Sequence, residues 1–426
     1  MDVAKRLAAA AAVILCAVLA WAGLAAFSPG TPWVPGDFYT LYSSVVAVSR
    51  GISPYDHAAL AVIQQSELGW DAVALGVPSL PFFYPPWYVL FSLPLATLPF
   101  RTAAVAWLTV NFLLLMGGCL LLFGALGWRP GRWLLPLLAG AALFAPTLGD
   151  LVVGQYGMPV FFGACLVASL CAGTSSGVSE DDARGPMGKE TSDWWRPVLA
   201  GLGLVLLTLK PQLGIGALLV ACLWLARRRR FRPLLWAGGF LLVLVVLSFR
   251  VSPNWPAEMI TAQATYAAWA GIPFPIQGCD TCSTVAAIVE GAGVTGPVAL
   301  LLDVSVVLGL VIAIVLAWQR RGKDLLFLLA LACVATVLGT PYLRNYDLVI
   351  LVLPFLFALH STVGVARRLS YLSPRLSRVI LVVAYALPLI GTFAGDRLAV
   401  GRSGVVMAAA LLGLLLAQAR SGEVSR

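Results

Sequence analysis

Apolar runs recur along almost the whole chain, at residues 7–27, 86–99, 103–126, 133–148, 158–172, 198–226, 234–249, 298–318, 325–339, 348–360, 379–394 and 405–417. Several reach the ~20 residues that a helix needs to cross a bilayer, and the shorter ones must tilt, kink or draw on flanking residues. The pattern predicts an all-α polytopic integral membrane protein, one membrane domain over residues 1–426, with roughly ten to thirteen spanning helices. The first run follows Lys5 and Arg6 and lacks a convincing small-residue cleavage pattern, so it is read as the first helix rather than a signal peptide.

The polar segments between these runs set the orientation. Basic residues cluster in short loops: Lys5-Arg6, "RRRRFR" from Arg227, "RRGK" from Arg320, and Arg367-Arg368 with Arg375 and Arg378. Such clusters mark the cytoplasmic side, which leaves 28–82, 250–296 and 340–347 outside. Within the first two outer segments, 37–50 and 255–269 mix apolar, aromatic and polar residues at helical spacing, as helices lying flat on the membrane surface would. The run 198–226 is expected to break at Lys210-Pro211 into a hairpin with Lys210 at its outer tip, because an internal proline removes a helical hydrogen bond. The insert 175–193 is rich in Gly, Ser and mixed charge without apolar periodicity, and reads as a flexible loop.

Composition narrows the function classes. Of 426 residues, 60% are hydrophobic and 11% charged, less than half the charged share of a soluble domain, so lipid is the main solvent. The net charge of +9 resides in the loop clusters rather than on a soluble face, which argues against a nucleic-acid partner. Most of the eight cysteines lie in apolar runs as small hydrophobes. Cys279 and Cys282 form a CxxC in an outer loop, where a local disulfide is preferred over unpaired thiols or a metal half-site. With two histidines and no HExxH, GxSxG or phosphate-binding loop, neither zinc nor histidine-based nucleophilic chemistry is indicated, and no metal or cofactor is expected.

The remaining polar residues gather at outer helix ends. Asp37 follows a Pro-Gly turn, where a carboxylate is stabilised by free helix amides; as a candidate base it competes with a simple capping role. Tyr39, Tyr42, Arg50 and Tyr55 share its loop, and Tyr84 lies in "FFYPPWY" at the mouth of the next apolar run. Lys210 stands in "LLTLKPQLGIG", an apolar context in which an ammonium is either functional or snorkels to the interface. "PYLRNYD" adds Arg344, Asn345 and Asp347, with an Arg344–Asp347 ion pair as the plain alternative. Gln155, between glycines in "VVGQYG", either serves a site or hydrogen-bonds a neighbouring helix. One carboxylate, one or two cations and several aromatics on one side of a bilayer suit an anionic lipid headgroup and a polar partner. Transport of such a molecule is the rival to transfer chemistry, although no inverted half-repeat is visible.

The succession "GDFYTLY", "RGISPYD", "FFYPPWYVLFSLPLATLP", "GQYGMPVFFGACL", "LKPQLGIGALLV" and "PYLRNYDLVILVLP" resembles glycosyltransferase family 87, polytopic enzymes of GT-C type. The resemblance implies transfer of mannose or a pentose such as arabinofuranose from a polyprenyl-phosphate donor to a cell-envelope lipid or glycan, with inversion, at an outward-facing site. It also implies Asp37 as catalytic base and places Lys210-Pro211 and Tyr84-Pro85-Pro86 at the family's motif positions. Donor phosphate would then meet Lys210, Arg344, Tyr84, Gln155 and Asn345, and the acceptor Tyr39, Tyr42, Arg50 and Tyr55. The last outer motif, "YLRNYD", departs from the histidine or tryptophan of many members, which leaves the sugar open.

Overall fold

The computed structural model describes residues 36–70, 79–172, 193–269, 282–322, 324–363, 373–393 and 397–421. The first expected helix, Cys279 and nearly all of the 175–193 insert lie outside them. The described residues are helical, with no strand beyond an isolated bridge between Cys282 and Arg344. The chain is an all-α polytopic membrane protein.

The helices are α1 (Gly36–Ser49), α2 (His57–Val62), α3 (Pro86–Ser92), α4 (Phe100–Ala125), α5 (Leu134–Leu143), α6 (Ala145–Val153), α7 (Gly157–Ala172), α8 (Trp195–Leu206) and α9 (Pro211–Arg227). They continue as α10 (Phe231–Val251), α11 (Trp255–Trp269), α12 (Val285–Gly291), α13 (Gly296–Arg321), α14 (Leu325–Gly339), α15 (Val352–Val363), α16 (Pro374–Phe393) and α17 (Arg397–Ser421). Their starts follow ordinary chemistry. Proline opens α3, α6, α9 and α13, where its missing N–H costs nothing, while Asp56, Thr284 and Asp324 cap α2, α12 and α14.

Fewer helices have full spanning length than the ten to thirteen expected. By length and composition, four single spans qualify among the described residues: Phe100–Ala125, Phe231–Val251, Gly296–Arg321 and Asn345–Val363. A fifth is formed by α5 and α6 if their pair, bent by 56° at the Phe144-Ala145-Pro146 break, counts as one. Two other expected spans, 86–99 and 198–226, are short helices interrupted where the chain carries Pro. Residues 86–99 give only the seven-residue α3 and a 3₁₀ turn at Leu93–Thr97. The 198–226 run breaks at Lys210-Pro211, as the proline requires.

At the centre stands α14, buried from Leu325 to Leu338, with α7, α9, α13, α15 and α17 against it. α10 and α13 are the opposite case, with 11% of their spanning windows buried and their leucines and valines facing outward, as lipid-facing helices do. The expectation of a surface-lying first helix is corrected: α1 is buried from Phe38 to Ala47, packed on α3 and the Leu93–Thr97 turn. Its polar side chains leave no solvent face, because the Ser43 and Ser44 hydroxyls donate to the Thr40 carbonyl and are buried with their apolar neighbours.

Candidate active site

Five separate segments deliver polar groups to one point, each at a helix end, where unpaired backbone polar groups already favour charge and hydrogen bonding. Asp37 lies in the first turn of α1, Tyr84 precedes α3, and Gln155 sits between α6 and α7. Lys210 is the residue before α9, and Arg344 precedes a 3₁₀ helix, Asn345–Leu351. Together with Tyr88, Gln212, Tyr342, Tyr346 and Asp347 they line a cavity of about 120 Å³.

The hydrogen bonds form a continuous chain through Gln155. Its Nε2 donates to Asp37 Oδ2, which also accepts from the Tyr346 hydroxyl at 3.3 Å. Its Oε1 accepts from Lys210 Nζ at 3.1 Å. Lys210 Nζ donates in turn to Asp347 Oδ1 at 2.5 Å, with both side chains 2% exposed. The second Asp347 oxygen accepts the Arg344 backbone N–H at 2.9 Å. Lys210 also sits 5.0 Å from the centre of the Tyr346 ring, a cation–π distance. Asp347 therefore serves Lys210 with its carboxylate, whereas Arg344 directs its Nε–H to the Tyr342 hydroxyl at 3.0 Å. A carboxylate and an amide oxygen take the place of the water that burial removes from the Lys210 side chain.

Burial also acts on Asp37. Desolvation pushes its carboxyl above the ordinary carboxylate range, opposed by the Gln155 hydrogen bond and by the charges of Lys210 and Arg344. Both hydrogen bonds it accepts among the described residues fall on Oδ2, so Oδ1 is the oxygen that faces another partner.

The turn carrying Gln155 is held by its surroundings. Gly154 closes α6 at φ +78°, a left-handed conformation that glycine adopts without strain, and its carbonyl accepts from Trp107 Nε1 at 2.9 Å. Asp150, buried at 1% exposure, accepts the Gly157 N–H at 3.1 Å. A Cβ on Gly157 would lie 2.3 Å from Asp150 Oδ1 and 2.5 Å from Val349, so the close approach of α7 to the 3₁₀ helix requires glycine. On the far wall Tyr84 and Tyr88 stack at 4.3 Å, nearly parallel.

Sequence reasoning named Asp37, Tyr84, Gln155, Lys210 and Arg344, and the structure brings these five to the cavity. It does not bring Tyr39, Tyr42, Arg50 or Tyr55 there. Tyr39 packs on Trp70 and Phe100, and Tyr42 donates to the Leu98 carbonyl at 2.6 Å. Tyr55 buttresses the wall from behind, donating to the Tyr84 carbonyl at 2.6 Å. Arg50 is exposed in a two-point ion pair with Glu67, at 2.7 and 2.6 Å, just past the end of α1 opposite to the one that carries Asp37. Asn345 starts the 3₁₀ helix but does not line the cavity. Cys282 is disulfide-bonded, and its segment pairs with the strand-like entry to the last motif through the Cys282–Arg344 bridge and Ser283 N–H to Leu343 O at 2.7 Å. The segment that begins at Cys282 thus braces Arg344. Asp150, Tyr88, Gln212 and Tyr346 went unforeseen; a polar residue within an apolar stretch was the available signal for Asp150.

The fold and the cluster define a polytopic membrane protein with a buried acid–amide–lysine–acid relay at the ends of its helices. Residues 82–341 match the model of glycosyltransferase family 87, and the chain belongs to that family. It is a membrane glycosyltransferase. No curated protein and no solved structure gives a significant match. The matched stretch holds Tyr84, Gln155 and Lys210, while Asp37 precedes it and Arg344 and Asp347 follow it. The site therefore joins the family's matched region to both of its flanks.

Proposed function

We propose that this glycosyltransferase moves a sugar, mannose or a pentose such as arabinofuranose, from a polyprenyl-phosphate donor to a cell-envelope lipid or glycan, on the outer membrane face and with inversion. The observation that carries this reading is the convergence of Asp37, Gln155, Lys210 and Arg344 on one small cavity between membrane helices. At about 120 Å³ it is well below the size that encloses a whole drug-like ligand, and suits the reacting end of a donor whose lipid remains in the bilayer.

In this mechanism the acceptor hydroxyl approaches Asp37 Oδ1. Its oxygen attacks the anomeric carbon from the face opposite the phosphate, and the carbon–phosphate oxygen bond breaks with its electron pair on the departing polyprenyl phosphate. The hydroxyl proton passes to Asp37, whose burial makes it a better base than an exposed carboxylate. One carboxylate suffices because a phosphate leaving group needs no protonation, unlike the two-carboxylate arrangement of hydrolases. Lys210 has two of its three N–H bonds engaged among the described residues. The third, with the Arg344 guanidinium, would meet charge developing on the phosphate. Gln155 ties the base to this cationic side, so acid and cation keep a constant spacing.

Incubating the purified protein with a panel of polyprenyl-phosphate sugars and an envelope-lipid acceptor, and following release of free polyprenyl phosphate, tests the reading. Release with an anomerically inverted product supports it. Sugar transfer from nucleotide sugars alone, or net movement of intact donor across vesicles without release, rejects it.

A further inference from the structure

A second cavity, of about 1140 Å³, opens at the far end of α9. The 17 residues of α9 separate it from Lys210 by about 25 Å, close to the depth of a bilayer's hydrocarbon core. α9 and α13 both pack on α14, and residues of both line the cavity. Its walls change character along their length. Toward the helix centres they are apolar, with Val220 and Leu223 facing Ile314 and Val315, and Leu223 and Val315 are themselves exposed. At the mouth stand four arginines, Arg227 and Arg228 from α9 and its end, Arg320 and Arg321 from α13.

The mouth is built rather than frayed. Trp224 Nε1 donates to the Gly322 carbonyl at 3.0 Å, tying the end of α9 to the end of α13. Arg228 stacks over the Trp224 ring at 5.5 Å. Arg321 is fixed by Asp324 at 2.7 Å and lies 4.4 Å over Phe327, and Asp324 in turn caps α14. Asp324 is the only acidic residue lining the cavity among the described residues, so positive charge predominates there.

We propose that this groove binds an anionic glycerophospholipid, with its acyl chains along α9 and α13 and its phosphate among the four arginines. The occupant follows from charge and polarity together: a free anion would not use the apolar length, and an uncharged lipid would not use the arginines. Basic pockets between membrane helices take anionic headgroups in this way, and the guanidinium plane suits a phosphodiester. The site does not depend on the sugar chemistry at the other end of α9.

The test is lipid retention by the full-length protein purified in mild detergent, measured by native mass spectrometry after incubation with phosphatidylglycerol or phosphatidylcholine. The expected result is selective retention of phosphatidylglycerol, unaffected by millimolar inorganic phosphate. R228Q and R320Q should each lower it roughly fivefold, with R228K and R320K, which keep the charge but not the guanidinium plane, lowering it less. Leu223→Trp, which keeps every charge but fills the apolar floor, should also lower it; this variant keeps the test decisive if an arginine change disturbs insertion. Equal retention of the two lipids, unchanged retention in L223W, or displacement by phosphate alone would overturn the proposal.

Discussion

The two ends of α1 carry charges of opposite sign and opposite consequence. At its start Asp37 is enclosed by Gln155 and Tyr346 and within reach of the Lys210 field. Just past its end Arg50 meets Glu67 in the open, with about half of its side chain exposed. Both are ion or hydrogen-bond partnerships, but water surrounds one and protein encloses most of the other. Solvent screens the exposed pair, while burial makes the Asp37 environment strong enough to change its chemistry. A partner alone is therefore a poor guide to function here, and desolvation is the better one.

The comparison breaks first at Asp37. Asp37→Asn keeps the shape and removes the proposed base; sugar transfer should fall by about 10²–10⁴-fold with donor still bound. Measured polyprenyl phosphate release that stays at the parental rate would leave the buried end no more chemical than the exposed one.

The next effect is on the relay that supports it. Lys210→Ala strands Asp347 in a buried position and should cost about 3–5 kcal/mol of stability, along with donor affinity, measured by chemical unfolding and donor binding. Lys210→Met combined with Asp347→Leu should restore most of the stability but not the donor affinity. Recovery of both would mean that the pair is structural alone.

A pH dependence sharpens the contrast. The Asp37 carboxyl is held above its ordinary value of 3.8, so the folded protein takes up that proton at higher pH than the unfolded chain. Its contribution to stability therefore declines as pH rises from 3.8 through the elevated value, while transfer, which needs the ionised base, increases over the same upper range. Asp37→Asn should flatten the stability profile. A transfer rate already at its plateau near the ordinary carboxylate value would contradict the burial argument.

The smallest effect belongs to Arg50→Gln. Transfer should change by less than twofold, since an exposed pair contributes little to either state; a large loss in the same release assay would return Arg50 to the site.

Much of the site was readable because membrane proteins make polar residues conspicuous. Asp37, Gln155, Lys210 and Arg344 each interrupt apolar surroundings, and the cost of burying them points to a use. The same signal misled at Arg50, Tyr39 and Tyr42, since nearness in the chain to Asp37 does not place a side chain on the same side of a helix. It also could not pair Lys210 with Asp347, which lies 137 positions away and has Arg344 as a closer candidate partner. Nor could it show that α1 is enclosed, because its apolar and aromatic residues suit a membrane surface as well as a protein interior.

Periodicity and proline positions in the chain alone determined a helical membrane protein broken at Lys210-Pro211, since these depend on local backbone chemistry and on the bilayer as solvent, while its motifs carried the resemblance to the glycosyltransferase family. Tertiary packing decided which of the scattered polar groups meet. Burial, partner choice and the left-over oxygen of Asp37 are properties of five segments brought together, and no single segment contains them.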